Sequence, residues 1–132
     1  MAIDYGKKRT GIAVTDPLQI IATGLTTLET QQVMNFLREY LLKEEVEKII
    51  VGYPTNLDGT DTHATQMVKE FLQRLKRHFP IIPAIPVDEQ FTSKLASRAM
   101  VEMGLKKKDR QNKGTIDVVA ATLMLQEYLE IH

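Results

Sequence analysis

Residues 2–16 read "AIDYGKKRTGIAVTD". A short apolar run ends at Asp4. A basic turn follows, Gly6-Lys7-Lys8-Arg9-Thr10-Gly11, and a second apolar run begins straight after it. Two apolar runs this close, joined by turn residues, pair as an antiparallel hairpin. The first strand is what remains of "MAID" and is short. The second is about "GIAVT". A third, about "IIATGLTTL", follows through another tight turn, so an antiparallel meander opens the chain. The hairpin alone does not explain a carboxylate beside three cations and two glycines. A salt bridge from Asp4 to Lys7 or Arg9 across the turn would account for it, and so would a metal or phosphate site.

Downstream the period changes. Apolar residues at 33, 36, 37, 40 and 41 follow helical spacing. "KIIVG" is a continuous apolar run of the kind found in strands buried on both faces. Positions 64, 67, 68, 71, 72, 75 and 79 repeat the helical stripe, and "IIPAIPV" reads as a strand. Pro83 and Pro86 cannot donate ladder hydrogen bonds, which places that strand at a sheet edge. Leu95, Ala99, Met100 and Met103 mark a further helix that stops at Gly104. The last helix runs from about Thr115 to Glu130. It is apolar almost all round between Ile116 and Leu125, which predicts extensive burial. Three antiparallel strands followed by alternating helices and strands imply an α/β fold. Its mixed five-stranded sheet has three antiparallel strands, then two parallel ones, and helices on both faces.

The chain has 132 residues, which suits one domain spanning 1–132. It contains no cysteine, so disulfides and thiolate metal sites are excluded, and a reducing cytoplasm is a suitable location. No run approaches the roughly 18 apolar residues of a membrane span. Lys plus Arg and Asp plus Glu both total 17. Any contact with nucleic acid must therefore come from local basic patches.

In such sheets ligands gather at the carboxyl ends of the strands. Asp4 ends the first strand, Asp88-Glu89 ends the fifth, and Asp117 falls in the first turn of the last helix. Three acids distant in sequence can meet at one edge. Each also has a plainer reading: Asp4 as a hairpin ion pair, Asp88-Glu89 as a solvated loop before a helix cap, and Asp117 as a complement to the helix dipole. The histidines at 63, 78 and 132 show no ligand spacing.

Four stretches, "IDYGKKRTGIAVTD", "VGYPTNLDGT", "VDEQFTS" and "TIDVVAATLMLQEYL", occur in this order across essentially the whole chain. In order and spacing they resemble the YqgF family, also called RuvX, of the RNase H-like superfamily. The resemblance implies a divalent-metal nuclease that matures the 5′ end of precursor small-subunit ribosomal RNA. An older name for the family is Holliday junction resolvase, which implies branched DNA instead. Asp4, Glu89 and Asp117 match the family's three acids, and Glu89 is preferred to Asp88 on that match. Gln90 stands where the family usually has arginine, which removes a cation from that motif.

The chemistry of the residues agrees. Phosphodiester hydrolysis needs an activated water and charge stabilisation at both the attacking and the leaving oxygen, which metal ions supply. Mg²⁺, or Mn²⁺ in its place, is a hard cation suited to a few carboxylates and waters. Asp4, Glu89 and Asp117 would hold it. Asn56, in the polar loop of "VGYPTNLDGT", would contact phosphate or metal, and Asp58 is a candidate fourth acid. "KKKDRQNKG", residues 106–114, carries five cations and one anion. Lys106, Lys107, Lys108, Arg110 and Lys113 would attract phosphate, together with Lys7, Lys8 and Arg9. The glycines of the first turn would let backbone approach that phosphate. No aromatic platform is evident, so base readout is expected to be weak.

Two readings from other classes compete. An ATPase or sugar kinase of the actin type uses a similar turn but needs two such domains. A non-catalytic RNA-binding module would not need the three acids. A monomer or a homodimer is compatible with the sequence, and a resolvase requires the dimer to cut two strands.

Overall fold

The computed structural model describes residues 1–16, 18, 21–54, 62–88 and 113–131, with the side chains of 116–130 in the last segment. The first hairpin forms as its sequence directs. β1 (Ala2–Tyr5) pairs antiparallel with β2 (Arg9–Thr15), which pairs antiparallel with β3 (Ala22–Glu29). A 3₁₀ turn, Thr30–Gln32, leads into α1 (Val33–Lys43). β4 (Ile49–Tyr53) then lies parallel to β1, α2 (His63–His78) follows, and β5 (Ala84–Asp88) lies parallel to β4. The last described element is α3 (Lys113–Ile131). The sheet order is β3-β2-β1-β4-β5, which puts the proline-bearing β5 at an edge. The helix expected around 95–103 lies outside the described residues.

The two sheet faces are covered differently. On one, Ile3, Tyr5, Ile12, Ile49 and Val51 meet Val33 and Leu37 of α1 and Val68, Phe71, Leu72 and Leu75 of α2. The Tyr5 ring stacks on Phe71 with centroids 4.0 Å apart, and its hydroxyl accepts a 2.7 Å hydrogen bond from Arg74. On the other face, Ala2, Ala13 and Ile50 meet Ala121, Met124 and Leu125 of α3, with Ile85 and Val87 packed alongside. This two-sided cover matches the sequence reading. It follows from the alternation of side chains along β1 and β2, which sends Ala2 and Ile3, or Ile12 and Ala13, to opposite faces.

α2 is set against the end of β4 by its cap. The Thr62 hydroxyl accepts from the Thr65 backbone N–H at 3.2 Å, and the Thr65 hydroxyl accepts from the Thr62 N–H at 2.8 Å. This is a capping box with threonine at both positions. Thr65 is fully buried and also donates to the carbonyl of Pro54 just past β4. At the other end of α2, Lys76 and Arg77 complement the helix dipole.

α3 departs from expectation in two ways. It begins at Lys113, before Gly114, so Asp117 is its fifth residue and its first turn holds no acid. The dipole reading of Asp117 therefore fails, because the dipole's effect is confined to the first turn. Burial is also less complete than the apolar sequence suggests. Ala120, Ala121, Met124 and Leu125 are buried, while residues 116, 118, 119 and 123 are only half-buried.

Candidate active site

β1, β4 and β5 are parallel, so their carboxyl ends open on one side of the sheet. Asp4 sits there, half-buried, next to the last residue of β1. It lies two residues from Ala2, which packs under α3, so strand alternation places Asp4 on the α3 face as well. Its partner across the hairpin is Gly11 of β2.

Gly11 is where α3 touches down. A Cβ at this position would collide with the main-chain carbonyl of Asp117 and lie 2.8 Å from the Val118 nitrogen. Only glycine allows a helix backbone this close to a strand. Asp117 is therefore seated directly over the strand partner of Asp4, and two acids distant in sequence come to one corner of one face. Gly24, the neighbour of Ala13 on β3, repeats the device with a softer contact: its Cβ would meet Val118 Cγ1 at 2.5 Å. The Gln126 side-chain oxygen accepts from the Ala22 N–H at 3.0 Å and ties the far end of α3 to β3.

Arg9, two residues before Gly11 on β2, shares that face. Its Nε donates to Asp117 Oδ2 at 3.3 Å, and both side chains are partly exposed. The hairpin arginine thus pairs with the acid of the last helix. Lys7 and Lys8 are exposed at the tip of the turn. Thr30 holds that turn in shape. Its hydroxyl donates to the Gly6 carbonyl at 2.6 Å and lies 2.9 Å from the buried Thr10 hydroxyl, while its N–H donates to the Lys8 carbonyl at 3.0 Å. The hairpin glycines are thereby explained without phosphate. Gly11 lies within β2 against α3, and at Gly6 a Cβ would strike the carbonyl of Arg9.

The strand register also separates Asp88 from Asp4. Ile85 and Val87 lie on the α3 face, so Asp88, next in the alternation, is directed to the opposite face and is exposed. Of the two acids ending β5, Asp88 does not share Asp4's face. Glu89 lies outside the described residues, as do Asn56, Asp58, Lys106, Lys107, Lys108 and Arg110. Lys113 is the first residue of α3. Among the described residues no three acids or histidines form a metal nest. Asp4, the strand partner of Gly11, and Asp117, whose main chain rests on Gly11, would offer hard carboxylate oxygens and no soft donor. That is a suitable partial donor set for Mg²⁺ or Mn²⁺, with further ligands to complete it.

Residue-by-residue reading missed Thr30, the seating role of Gly11 and the Arg9–Asp117 pair. One signal was present for the second: Ala2, Gly11, Ala13 and Gly24 are all small, and a sheet face of small residues admits a helix at close range.

Comparison with known proteins agrees with this architecture. Residues 1–131 match the family model RuvX, described as Holliday junction resolvase. A Flavobacterium psychrophilum protein named "Putative pre-16S rRNA nuclease" is 50% identical over 129 residues, covering 98% of this chain and 94% of the relative. Relatives of the same name from Bacteroides thetaiotaomicron and Phocaeicola vulgatus are 52% and 53% identical over 130 residues, with the same shares covered. With a family model matched across nearly every residue and relatives this similar over 94% of their length, the chain belongs to the RuvX family.

Proposed function

We propose that this chain is a nuclease that hydrolyses phosphodiester bonds with a divalent cation, Mg²⁺ or Mn²⁺. Asp4, Asp117 and Glu89 hold the cation, and the substrate is the 5′ region of precursor small-subunit ribosomal RNA in the cytoplasm. The observation that carries the reading is the seating of Asp117 on Gly11, the strand partner of Asp4. Residues 1–132 act as one domain. The names of the relatives support RNA as substrate.

When bound, the cation supplies an activated water and stabilises charge on the leaving oxygen. The chain's own residues do the rest. Asp4 stands on β1 and Asp117 on a helix seated against the neighbouring strand β2, so neither depends on a loop for its position. Lys7 and Lys8, with Lys106, Lys107, Lys108, Arg110 and Lys113, hold the phosphate backbone, and Asn56 contributes a polar contact. Phosphate contacts set position without reading sequence, so structure in the RNA selects the site.

The family description favours one second reading, the resolution of four-way DNA junctions. That reaction requires two copies of the site related by a two-fold axis, so the chain would act as a homodimer. Single-turnover cleavage of a precursor ribosomal RNA fragment and of a four-way junction, each with Mg²⁺ and with chelator, tests both. The expected result is metal-dependent cleavage of the RNA. It should fall by at least about 100-fold in Asp4→Asn, the upper end of what loss of a group supporting a metal site costs. Cleavage in chelator, or an active Asp4→Asn variant, would remove the metal-bound role of Asp4. Cleavage of the junction alone would transfer the reading to DNA.

A further inference from the structure

We infer that Arg9 is a positioning residue that competes with the divalent cation for Asp117, so that cation entry releases its guanidinium toward the substrate phosphate. The inference rests on the cation-dependent reading above and adds a role for a residue outside the acid set.

Three observations carry it. First, the contact is a single hydrogen bond from Nε at 3.3 Å, not the two-pronged fork that arginine forms with carboxylates in strong pairs. Side-chain exposures of 39% for Arg9 and 25% for Asp117 put the pair in reach of water, where such bridges add little to folding stability. Stability is a poor reason for the contact. Second, the main chain that carries Asp117 lies against Gly11, so the pair can part only by rotation of the two side chains and not by a shift of the helix. A cation shared by Asp4 and Asp117 arrives within the reach of Arg9, and like charge drives the guanidinium off. Third, Arg9 has a place to go. It follows the exposed Lys7 and Lys8 in a turn pinned by Thr30. A planar guanidinium with five donors suits a phosphate at that mouth better than an ammonium does. In the absence of cation, Arg9 neutralises Asp117. In its presence, the same charge is offered to the substrate.

The test is Mn²⁺ binding to the intact protein without nucleic acid, read from the electron paramagnetic resonance signal of the free ion. Wild type, Arg9→Gln, Arg9→Lys and Asp117→Asn are compared. Arg9→Gln should bind Mn²⁺ roughly tenfold tighter, the size of effect expected when a like charge is removed from beside an ionic site. Arg9→Lys keeps the charge and should stay near wild type. In saturating Mn²⁺, Arg9→Gln should nevertheless bind and cleave RNA less well. A purely structural Arg9 would give the opposite sign for metal, because loosening Asp117 weakens the site. Mn²⁺ affinity in Arg9→Gln that is equal to or below wild type would therefore overturn the inference. Unchanged Mn²⁺ affinity in Asp117→Asn would instead refute the cation-dependent reading itself, whatever Arg9 does.

Discussion

The two faces of the sheet are built on different scales. Toward α1 and α2 the strands present Ile3, Tyr5, Ile12, Ile49 and Val51, and the helices answer with Leu37, Phe71 and Leu75. Toward α3 the strands β1, β2 and β3 present Ala2, Gly11, Ala13 and Gly24, with main chain against main chain at Gly11, while Ile50, Ile85 and Val87 of β4 and β5 supply the larger side chains. Burial of large side chains contributes most of the hydrophobic stabilisation, so the first face is the thermodynamic one. The second buries less per residue and yields position instead. At Gly11 the helix rests on β2 without an intervening side chain, which sets the main chain of Asp117 over the strand partner of Asp4. A thick core cannot set a backbone in this way, because its rotamers and packing tolerate substitution.

Substitutions can break that division. The largest effect is expected from Phe71→Ala, which removes the ring stacked on Tyr5 and should cost about 3–5 kcal/mol of stability. Denaturant unfolding measures this. Mn²⁺ affinity of the folded fraction should hold, and a parallel loss would show that the faces are not separable.

Gly11→Ala should cost about 1–3 kcal/mol as an overpacked contact. Its added methyl strikes helix backbone, so cleavage by the folded protein should also fall. Gly24→Ala meets the side chains of Val118 and Thr122 and no main chain, so it should cost stability while reducing cleavage by the folded protein less than Gly11→Ala. Equal losses of cleavage at the two glycines would mean that α3 shifts as a whole and that Gly11 has no special place.

Thr30→Val deprives the Gly6 carbonyl of its donor and the buried Thr10 hydroxyl of its partner. The expected cost is about 1–3 kcal/mol, with Thr30→Ser restoring it. Thermal melts of both variants decide whether the turn is held by the hydroxyl or by shape alone.

The smallest effect on folding belongs to Lys7→Ala with Lys8→Ala, within about 0.5 kcal/mol for exposed positions. Removing a cation that meets phosphate should lower the salt-dependence slope of RNA binding by about 0.7–0.9. Binding at several salt concentrations compares this pair with alanine at Lys106, Lys107, Lys108 and Arg110. Whichever set leaves the slope unchanged is a solvated charge cluster and not part of the phosphate path.

The sequence carried much of this fold because each element has its own period and its own breaks. The hairpin, the buried run at 49–51, the two amphipathic helices and the proline-marked edge strand all stand in the structure. The errors share one cause. The last helix is expected from about Thr115, yet α3 starts at Lys113 and includes Gly114. That moved Asp117 out of the helix's first turn. Gly11 reads as a turn glycine because its neighbours are turn residues, and only the fold reveals the helix above it. Arg9 reads as a partner for Asp4 because they are close in sequence, whereas its carboxylate comes from the other end of the chain. Asp88 and Glu89 were inseparable by composition, and strand parity then sent Asp88 to the face away from Asp4. Local chemistry was readable throughout, and contacts between distant segments were not.

The central claim is that the close seating of α3 makes one cation site of Asp4 and Asp117. A double-mutant cycle on Mn²⁺ affinity tests it most directly, using wild type, Asp4→Asn, Asp117→Asn and the double variant. Each single change should weaken binding by at least about 10- to 100-fold, the loss typical of groups that merely support a metal ligand. The double variant should lose much less than the sum of the two, because ligands of one ion are coupled. Wild-type affinity in either single variant, or two losses that simply add, would contradict the claim.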